Sequence, residues 1–442
     1  MAETRPPTRL FQVLVAPLQA FLRTEAKGGI LLLLAALTAF GLANSPWRAQ
    51  WHELWQFPLS VGLAGYTLQG SLHFVVDDVL MAVFFFVVGM EIKRELVRGE
   101  LRTPAQALLP AIAAVGGMVV PALLFLAFQQ GGEGMRGWAI PMATDIAFSI
   151  GCLALLGDRV PHGLKVFLTA LAIFDDIGGI LVIALFYGKG IQPMGLLLTV
   201  LAAAAAFGLN RLKAQGPWLY FAVGVALWWT FRAAGLHPTL AGVVLGLLIP
   251  AESRHAPGEV LGDLRRRLDE RVSTGVERVS ADELAWASSA LAGTVSPLDR
   301  FEYAIHPFVA YAIMPLFALA NSGVEVGGLG RRDFLSPVFL GVVAGLLLGK
   351  VLGIFTFTAA AVKLKLAQVP DDAPWGQVLG VGAVAGIGFT VALFIANLAF
   401  SREVPLLEQA RLGILVGSAL SGTLGVLLLR ALPSRRRPDA AA

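Results

Sequence analysis

The chain has 442 residues, of which 56% are hydrophobic and only 14% charged, against roughly a quarter charged in an ordinary soluble domain. That balance excludes a water-soluble globular fold: once every core is filled, apolar surface remains, and lipid is the solvent that takes it. A net charge of +4 is too slight to imply nucleic acid as a partner, and the single cysteine, Cys152, excludes an internal disulfide and a cysteine metal cluster.

Residues 1–27 mix apolar and basic character without a small-residue cleavage motif, so they read as a cytoplasmic tail rather than a signal peptide. From there apolar runs recur, and about 20 helical residues suffice for one crossing. Twelve spans are predicted, at 28–43, 73–98, 105–128, 137–156, 163–187, 193–210, 216–230, 236–250, 301–322, 336–360, 375–400 and 405–430. The seventh and eighth are short, and a re-entrant pair is the alternative there. Between the first two spans, Trp47, Trp51 and Trp55 follow at four-residue spacing on one helical face, suited to the membrane interface or to packing on a neighbouring helix. Residues 251–300 form the longest polar stretch, where EVLGDLRRRLDERVSTGVER reads as an amphipathic surface helix or a loop. The expected plan is a tail (1–27), eight spans (28–250), a cytoplasmic connector (251–300), four spans (301–430) and a C-terminal tail (431–442). With the N-terminus inside, 25 of the 34 Lys and Arg fall on the cytoplasmic side and 8 outside, Lys350 lying within an apolar run. Both termini are therefore expected in the cytoplasm.

Charges at membrane depth carry the functional signal. Asp175 and Asp176 interrupt FLTALAIFDDIGGILVIALFY in the fifth span. A carboxylate near the bilayer centre costs about 2.5–3.5 kcal/mol even on the mildest scale. Two adjacent ones point about 100° apart on a helix, so at least one must face a polar cavity or a partner. A structural ion pair with Lys or Arg is the alternative to a functional site. In the fourth span, WAIPMATDIAFSIGCLALLG, Pro141 and Gly151 weaken the helix around Thr144 and Asp145. An interrupted helix exposes N–H and C=O groups that hold ions or balance charge, while a simple kink with Asp145 as a helix cap is the plainer reading. Lys350, a lone ammonium between glycines, needs a carboxylate or a watery path.

Gly382, Gly386 and Gly388 in the eleventh span suggest a second interruption, although Gly382 and Gly386 also suit close helix packing. Weakened segments in the fourth and eleventh positions suggest inverted repeats, spans three to five matching ten to twelve, with an ion site where they cross. At the inner end of the second span Glu91, Lys93, Arg94 and Glu95 form a charged mouth, either responsive to protons or simply topology-setting. Asp77 and Asp78, at the outer end, suit helix capping. His237 and His306 titrate near neutrality in principle, and a plain hydrogen-bonding role suits them equally.

Several carboxylates in a membrane cavity suit hard cations such as Na⁺ or Li⁺, and each also binds H⁺. Holding one hinders the other, so two acids exposed alternately to each side would exchange cations for protons. No phosphate-binding Gly-x-x-x-x-Gly-Lys-Ser/Thr run occurs, which leaves an ion gradient or the membrane potential as the driving force.

The stretches DDVLMAVFFFVVGMEIKREL, WAIPMATDIAFSIG, LKVFLTALAIFDDIGGILVIALFY, LHPTLAGVVLGLLIP, HPFVAYAIMPLFALANSGV, LLLGKVLGI and GIGFTVALFIANLAF occur in an order that resembles the bacterial NhaA family of Na⁺/H⁺ antiporters, over nearly the whole chain. The resemblance implies an all-α polytopic membrane protein of twelve helices, built from inverted-topology repeats with two crossed discontinuous helices. It implies that Asp176 binds the cation and carries a proton, and that Asp175 exchanges a proton and pairs with Lys350. Thr144 and Asp145 would support cation binding and balance helix dipoles. Glu91, Arg94, Glu95 and His237 would tune the pH response, and Asp78 matches an outer acid. No cofactor is implied. Transport of Na⁺ or Li⁺ against more than one H⁺ would be electrogenic, in the inner membrane, by a homodimer embedded in the lipid bilayer, with no nucleic acid involved. The 251–300 connector looks longer than the family's usual one, and His255 is the only candidate there for a regulatory histidine. Two other readings fit parts of the pattern: a sodium-coupled symporter of similar architecture, and an intramembrane aspartyl protease, whose Gly-x-Gly-Asp signature is missing.

Overall fold

The structure is a computed structural model that describes residues 16–432, apart from 64–65, 100, 130, 189, 215, 275–279, 329, 331 and 370–372. Most of the N-terminal tail and nearly all of the C-terminal tail lie outside the described residues. Among those described, eight helices are long and apolar enough to cross a membrane: Leu72–Val97, Pro104–Phe128, Glu133–Leu156, His162–Phe186, Pro193–Arg211, Pro297–Asn321, Pro337–Lys363 and Val404–Ala431. Two bent pairs raise the number to ten: Lys27–Ala43 with Arg48–Gln56, bent by 116°, and Trp375–Ala385 with Phe389–Ala399, bent by 47°. Proline opens several of these helices, at 104, 193, 217, 297 and 337. At the first helical position its missing N–H is no loss and its fixed φ suits the turn.

The expected seventh and eighth spans are the helices Pro217–Ala233, of 17 residues, and Leu240–Leu248, of only nine. The second is shorter than the expected 236–250 because the chain turns through Gly235, at φ +78°, and through Pro238 before helix begins. The other departure from an all-helical plan is a two-stranded antiparallel hairpin, Pro58–Leu63 with Tyr66–Ser71. The three tryptophans divide. Trp47 is exposed, while Trp55 is buried and meets Trp51 edge-on at 5.4 Å, so the packing role holds for that pair.

The chain divides into two compact units. The first comprises residues 1–80, 100–187 and 310–442. Its tightest contact joins Pro104–Phe128 to the helix containing Lys350, through a stripe of glycines. A Cβ on Gly353 would lie 2.1 Å from the Gly116 carbonyl oxygen, and one on Gly349 would lie 2.6 Å from Pro121 Cα. Lipid offers no hydrophobic drive between helices, so small residues that let backbones touch do this work. A Gly353→Ala protein is expected to lose about 1–3 kcal/mol, the usual cost of overpacking. An unchanged thermal midpoint of the detergent-solubilised protein would refute the contact.

The second unit comprises residues 81–99 and 188–309. Here Leu240–Leu248 lies on Met81–Val97 by the same device: a Cβ on Gly242 would sit 2.1 Å from the Ala82 carbonyl oxygen, and one on Gly246 would sit 2.5 Å from that of Phe86. Lys93 donates to the Leu247 carbonyl at 2.9 Å and also to that of Ile249, and Asn210 donates to Leu248 at 2.6 Å. These groups satisfy the open carbonyls at the end of the short helix, where a cation also opposes the dipole. The connector forms two helices, Pro257–Thr274 and Ala281–Ala292, the second opened by a capping box between Ser280 and Glu283. The amphipathic segment is thus helix as far as Thr274, its remainder lying outside the described residues, and Arg267 stacks 4.0 Å over Trp286.

Candidate functional site

Within the first unit two helices break beside each other. The chain from Glu133 to Met142 is a tight 3₁₀ helix, Ala143–Asp145 is extended, and an α-helix resumes at Ile146. Pro141 ends the first piece, whereas Gly151 lies inside the second and interrupts nothing. In the other broken segment the gap is Gly386–Gly388, between Trp375–Ala385 and Phe389–Ala399. Gly386 is required there: a Cβ would fall 2.2 Å from Ser421 Oγ and 2.3 Å from the Leu346 carbonyl oxygen. Gly382, by contrast, lies inside helix and packs on Val351.

The breaks bond to each other. The Asp145 N–H donates to the Ile387 carbonyl at 2.7 Å. The Asp145 carboxylate accepts the Phe148 N–H at 3.0 Å and the Thr390 N–H and hydroxyl at 3.1 and 2.5 Å. It therefore caps the N-termini of both resumed helices, and its negative charge opposes two positive dipole ends. At the C-terminal end of Trp375–Ala385, Ser149 donates to the Val384 carbonyl at 3.1 Å and the Thr144 hydroxyl reaches that of Ala385 at 2.8 Å. Interruption and capping are thus both present at Asp145.

Thr144 also faces Asp175 Oδ2 at 2.7 Å, and Lys350 Nζ donates to the same oxygen at 2.5 Å. A hydroxyl has one proton, so Thr144 serves Asp175 or Ala385 but not both at once. All three side chains are buried, Lys350 with none of its surface exposed. A widened turn, Gly345–Gly349, precedes Lys350, and the lysine stem passes Gly117, where a Cβ would lie 3.7 Å from Lys350 Cδ and 3.0 Å from Ile354 Cγ1. Asp175 Oδ1 is buried without a hydrogen-bond partner among the described protein atoms. Asp176 follows on the same helix, 8% exposed, and its charge also acts on Lys350. The arrangement combines two carboxylates, one ammonium and a hydroxyl at the meeting of four helix ends. It can hold a small hard cation, or protons, but not both in full.

The second unit contains the charged mouth. Arg94 pairs with Glu302 and lies 3.4 Å from Glu95, while Glu91 faces His306 at 3.8 Å. Arg98 pairs with Asp299 at 2.8 Å. Glu302 was missed by reading the sequence, where it looks like an ordinary acid at the start of a span. His237 Nδ1 lies 2.7 Å from Thr239 Oγ1. His255 is exposed and held by its backbone to Gly293. In the first unit, Asp78 is half-buried within a widened turn, Val75–Leu80. Neither it nor Asp77 caps the helix start: Ser71 does, accepting the Phe74 N–H at 3.2 Å.

Buried ionisable groups gathered at paired helix breaks, with eight to ten candidate spans among the described residues, define a multi-pass membrane transporter of small ions. The family model described as Na⁺/H⁺ antiporter 1 matches residues 19–429. The Na(+)/H(+) antiporter NhaA 1 of Myxococcus xanthus is 52% identical over 433 residues, 97% of this chain and 96% of that protein. The NhaA proteins of Anaeromyxobacter sp. and Rhodospirillum rubrum are 49% and 46% identical, covering 99% and 96% of this chain and 98% and 99% of their own lengths. The chain therefore belongs to the Na⁺/H⁺ antiporter family, as the resemblance implied, and is a secondary active transporter rather than an enzyme. That membership sets aside the protease and symporter readings.

Proposed function

We propose that this chain exchanges Na⁺ or Li⁺ for more than one H⁺ through Asp175 and Asp176, in a bacterial inner membrane, with both termini cytoplasmic. The observation that carries the reading is the buried contact of Asp175 with Lys350 and Thr144, next to Asp176 and the paired helix breaks. Asp176 binds the cation or a proton. Asp175 alternates between Lys350 and the cation, which its free Oδ1 is placed to meet, and Thr144 turns its hydroxyl proton accordingly. Asp145 holds the two resumed helices by their positive ends. Glu91, Arg94, Glu95 and His237 belong to the pH response, to which we add Glu302 through its pair with Arg94. Twelve crossings, with spans three to five and ten to twelve as inverted repeats around the breaks, are the architecture this mechanism requires. A homodimer and a cytoplasmic 251–300 connector complete the proposal, and Asp78 is assigned as the outer acid.

Competition between proton and metal for the same oxygens fixes the sign of the pH effect. As pH falls the carboxylates fill with protons, so the apparent KM for Na⁺ rises, by about tenfold per pH unit for each competing proton once protonation dominates. Inverted vesicles with an acid interior, given Na⁺, Li⁺ or K⁺ across a pH series, test this. Release of protons by Na⁺ and Li⁺, with KM climbing toward acid, is expected; a KM indifferent to pH would refute a shared site.

A further inference from the structure

A second polar network, half-buried, lies in the first unit, at the far end of the half-helix Phe389–Ala399. Asp77 Oδ1 accepts from the Asn321 side-chain amide at 2.9 Å, and its Oδ2 from that of Asn397, also at 2.9 Å. His73 Nδ1 approaches Oδ2 at 3.2 Å. Behind the two asparagines lies Arg411, which donates to the side-chain oxygens of Asn321 and Asn397 at 3.1 and 3.0 Å and to Glu408 at 3.3 Å. The Asn397 amide also donates to the Asn321 side-chain oxygen at 2.6 Å.

The polarity of this chain is forced. A carboxylate only accepts and a guanidinium only donates, so amides placed between them must turn N–H toward Asp77 and oxygen toward Arg411. The assignment of each amide therefore follows from the charges at the two ends. Four segments are tied together: the widened turn Val75–Leu80, the end of Met314–Asn321, Phe389–Ala399, and Val404–Ala431, which contributes Arg411.

Phe389–Ala399 is thus gripped at both ends. Thr390 is held by Asp145 in the helix break, and Asn397 is held by Asp77 and Arg411. The grips stand seven positions apart on the helix, a rise of about 10.5 Å. If the distal grip loosens, the rod shifts along or about its axis, and Asp145, Thr144 and Asp175 are the next groups in line.

We infer that Asp77 is a positioning residue for cation binding: through Asn397 and Arg411 it fixes the half-helix Phe389–Ala399 and so sets the affinity of the Asp175–Asp176 site. The inference rests on the proposed exchange function. Asp77→Asn keeps the size of the side chain but presents an N–H where an acceptor is needed, so one asparagine must turn over and lose Arg411. Full-length protein in proteoliposomes, titrated with Na⁺ at fixed pH, is expected to show KM raised about 5- to 20-fold, within the usual range for coupling between sites, with kcat near wild type. Arg411→Gln is expected to raise KM likewise. The swap Asp77→Asn with Asn397→Asp returns an acid next to Arg411 and is expected to restore KM. Wild-type KM in Asp77→Asn or in Arg411→Gln would overturn the inference, as would a swap that recovers thermal stability without KM. Should Asp77→Asn fail to fold, Arg411→Gln and the swap decide by the same readout. Absence of Na⁺-driven proton movement in the unmodified protein would instead sink the exchange function itself.

Discussion

Proteoliposomes carrying Asp176→Asn are expected to show no Na⁺-driven or Li⁺-driven pH change above background. The substitution conserves volume and leaves the bond between Lys350 and Asp175 in place, so the fold is expected to be kept. What it removes is the ability to be either an anion or a proton carrier. An amide oxygen still points a dipole at a cation, but it cannot be neutralised by a proton, and exchange depends on that alternation. Asp175 is not expected to substitute alone, because its charge is shared with Lys350 and the proposed exchange needs both carboxylates. The variant should retain its thermal midpoint and lose transport. Turnover comparable to wild type would show that the proton and the cation are carried elsewhere.

Much of this site was legible because membrane depth makes charge expensive. Asp145, Asp175, Asp176 and Lys350 announce themselves as charges in runs that otherwise contain none. The broken helices were legible through Pro141 and through Gly386 and Gly388, though not through Gly151 or Gly382, which sit in intact helix. Glycine is tolerated in a helix when another backbone needs the space, and sequence alone does not separate that use from a break. The partner of Lys350, 175 residues away in the chain, was implied only by the family resemblance. Thr390, Asn321 and Asn397 were missed because neutral polar side chains cost little to bury when paired, and so leave no signature. Arg411 was counted as an outer topology charge, yet only 12% of its side chain is exposed. The widened turns at Val75–Leu80 and Gly345–Gly349 have no composition of their own. Leu240–Leu248 looked longer than it is because apolar Leu236 and Ile249 flank it without being helical.

Lys350→Ala is expected to fall hardest on stability. The lysine is wholly buried and its ammonium is the only cation bonded to Asp175 among the described residues. Removing one member of a buried pair leaves the other charge without compensation, at a cost of about 3–5 kcal/mol. The loss of the alkyl stem over Gly117 adds a cavity term. The two contributions separate in a double-mutant cycle. Asp175→Asn alone leaves the ammonium unpaired and destabilises; combined with Lys350→Ala it removes both charges and retains only the cavity. The double variant should therefore unfold at a higher temperature than Lys350→Ala, although it carries one more substitution. Additive losses would mean that the pair contributes no coupling and that Lys350 is held by something else. Sodium provides an independent check. An ammonium repels a metal cation, so Lys350 competes for Asp175 instead of ligating the ion, and Na⁺ should protect Lys350→Ala against heat at least as well as it protects wild type. Loss of that protection would make the lysine part of the binding shell, and the division of labour between Asp175 and Asp176 would have to be redrawn.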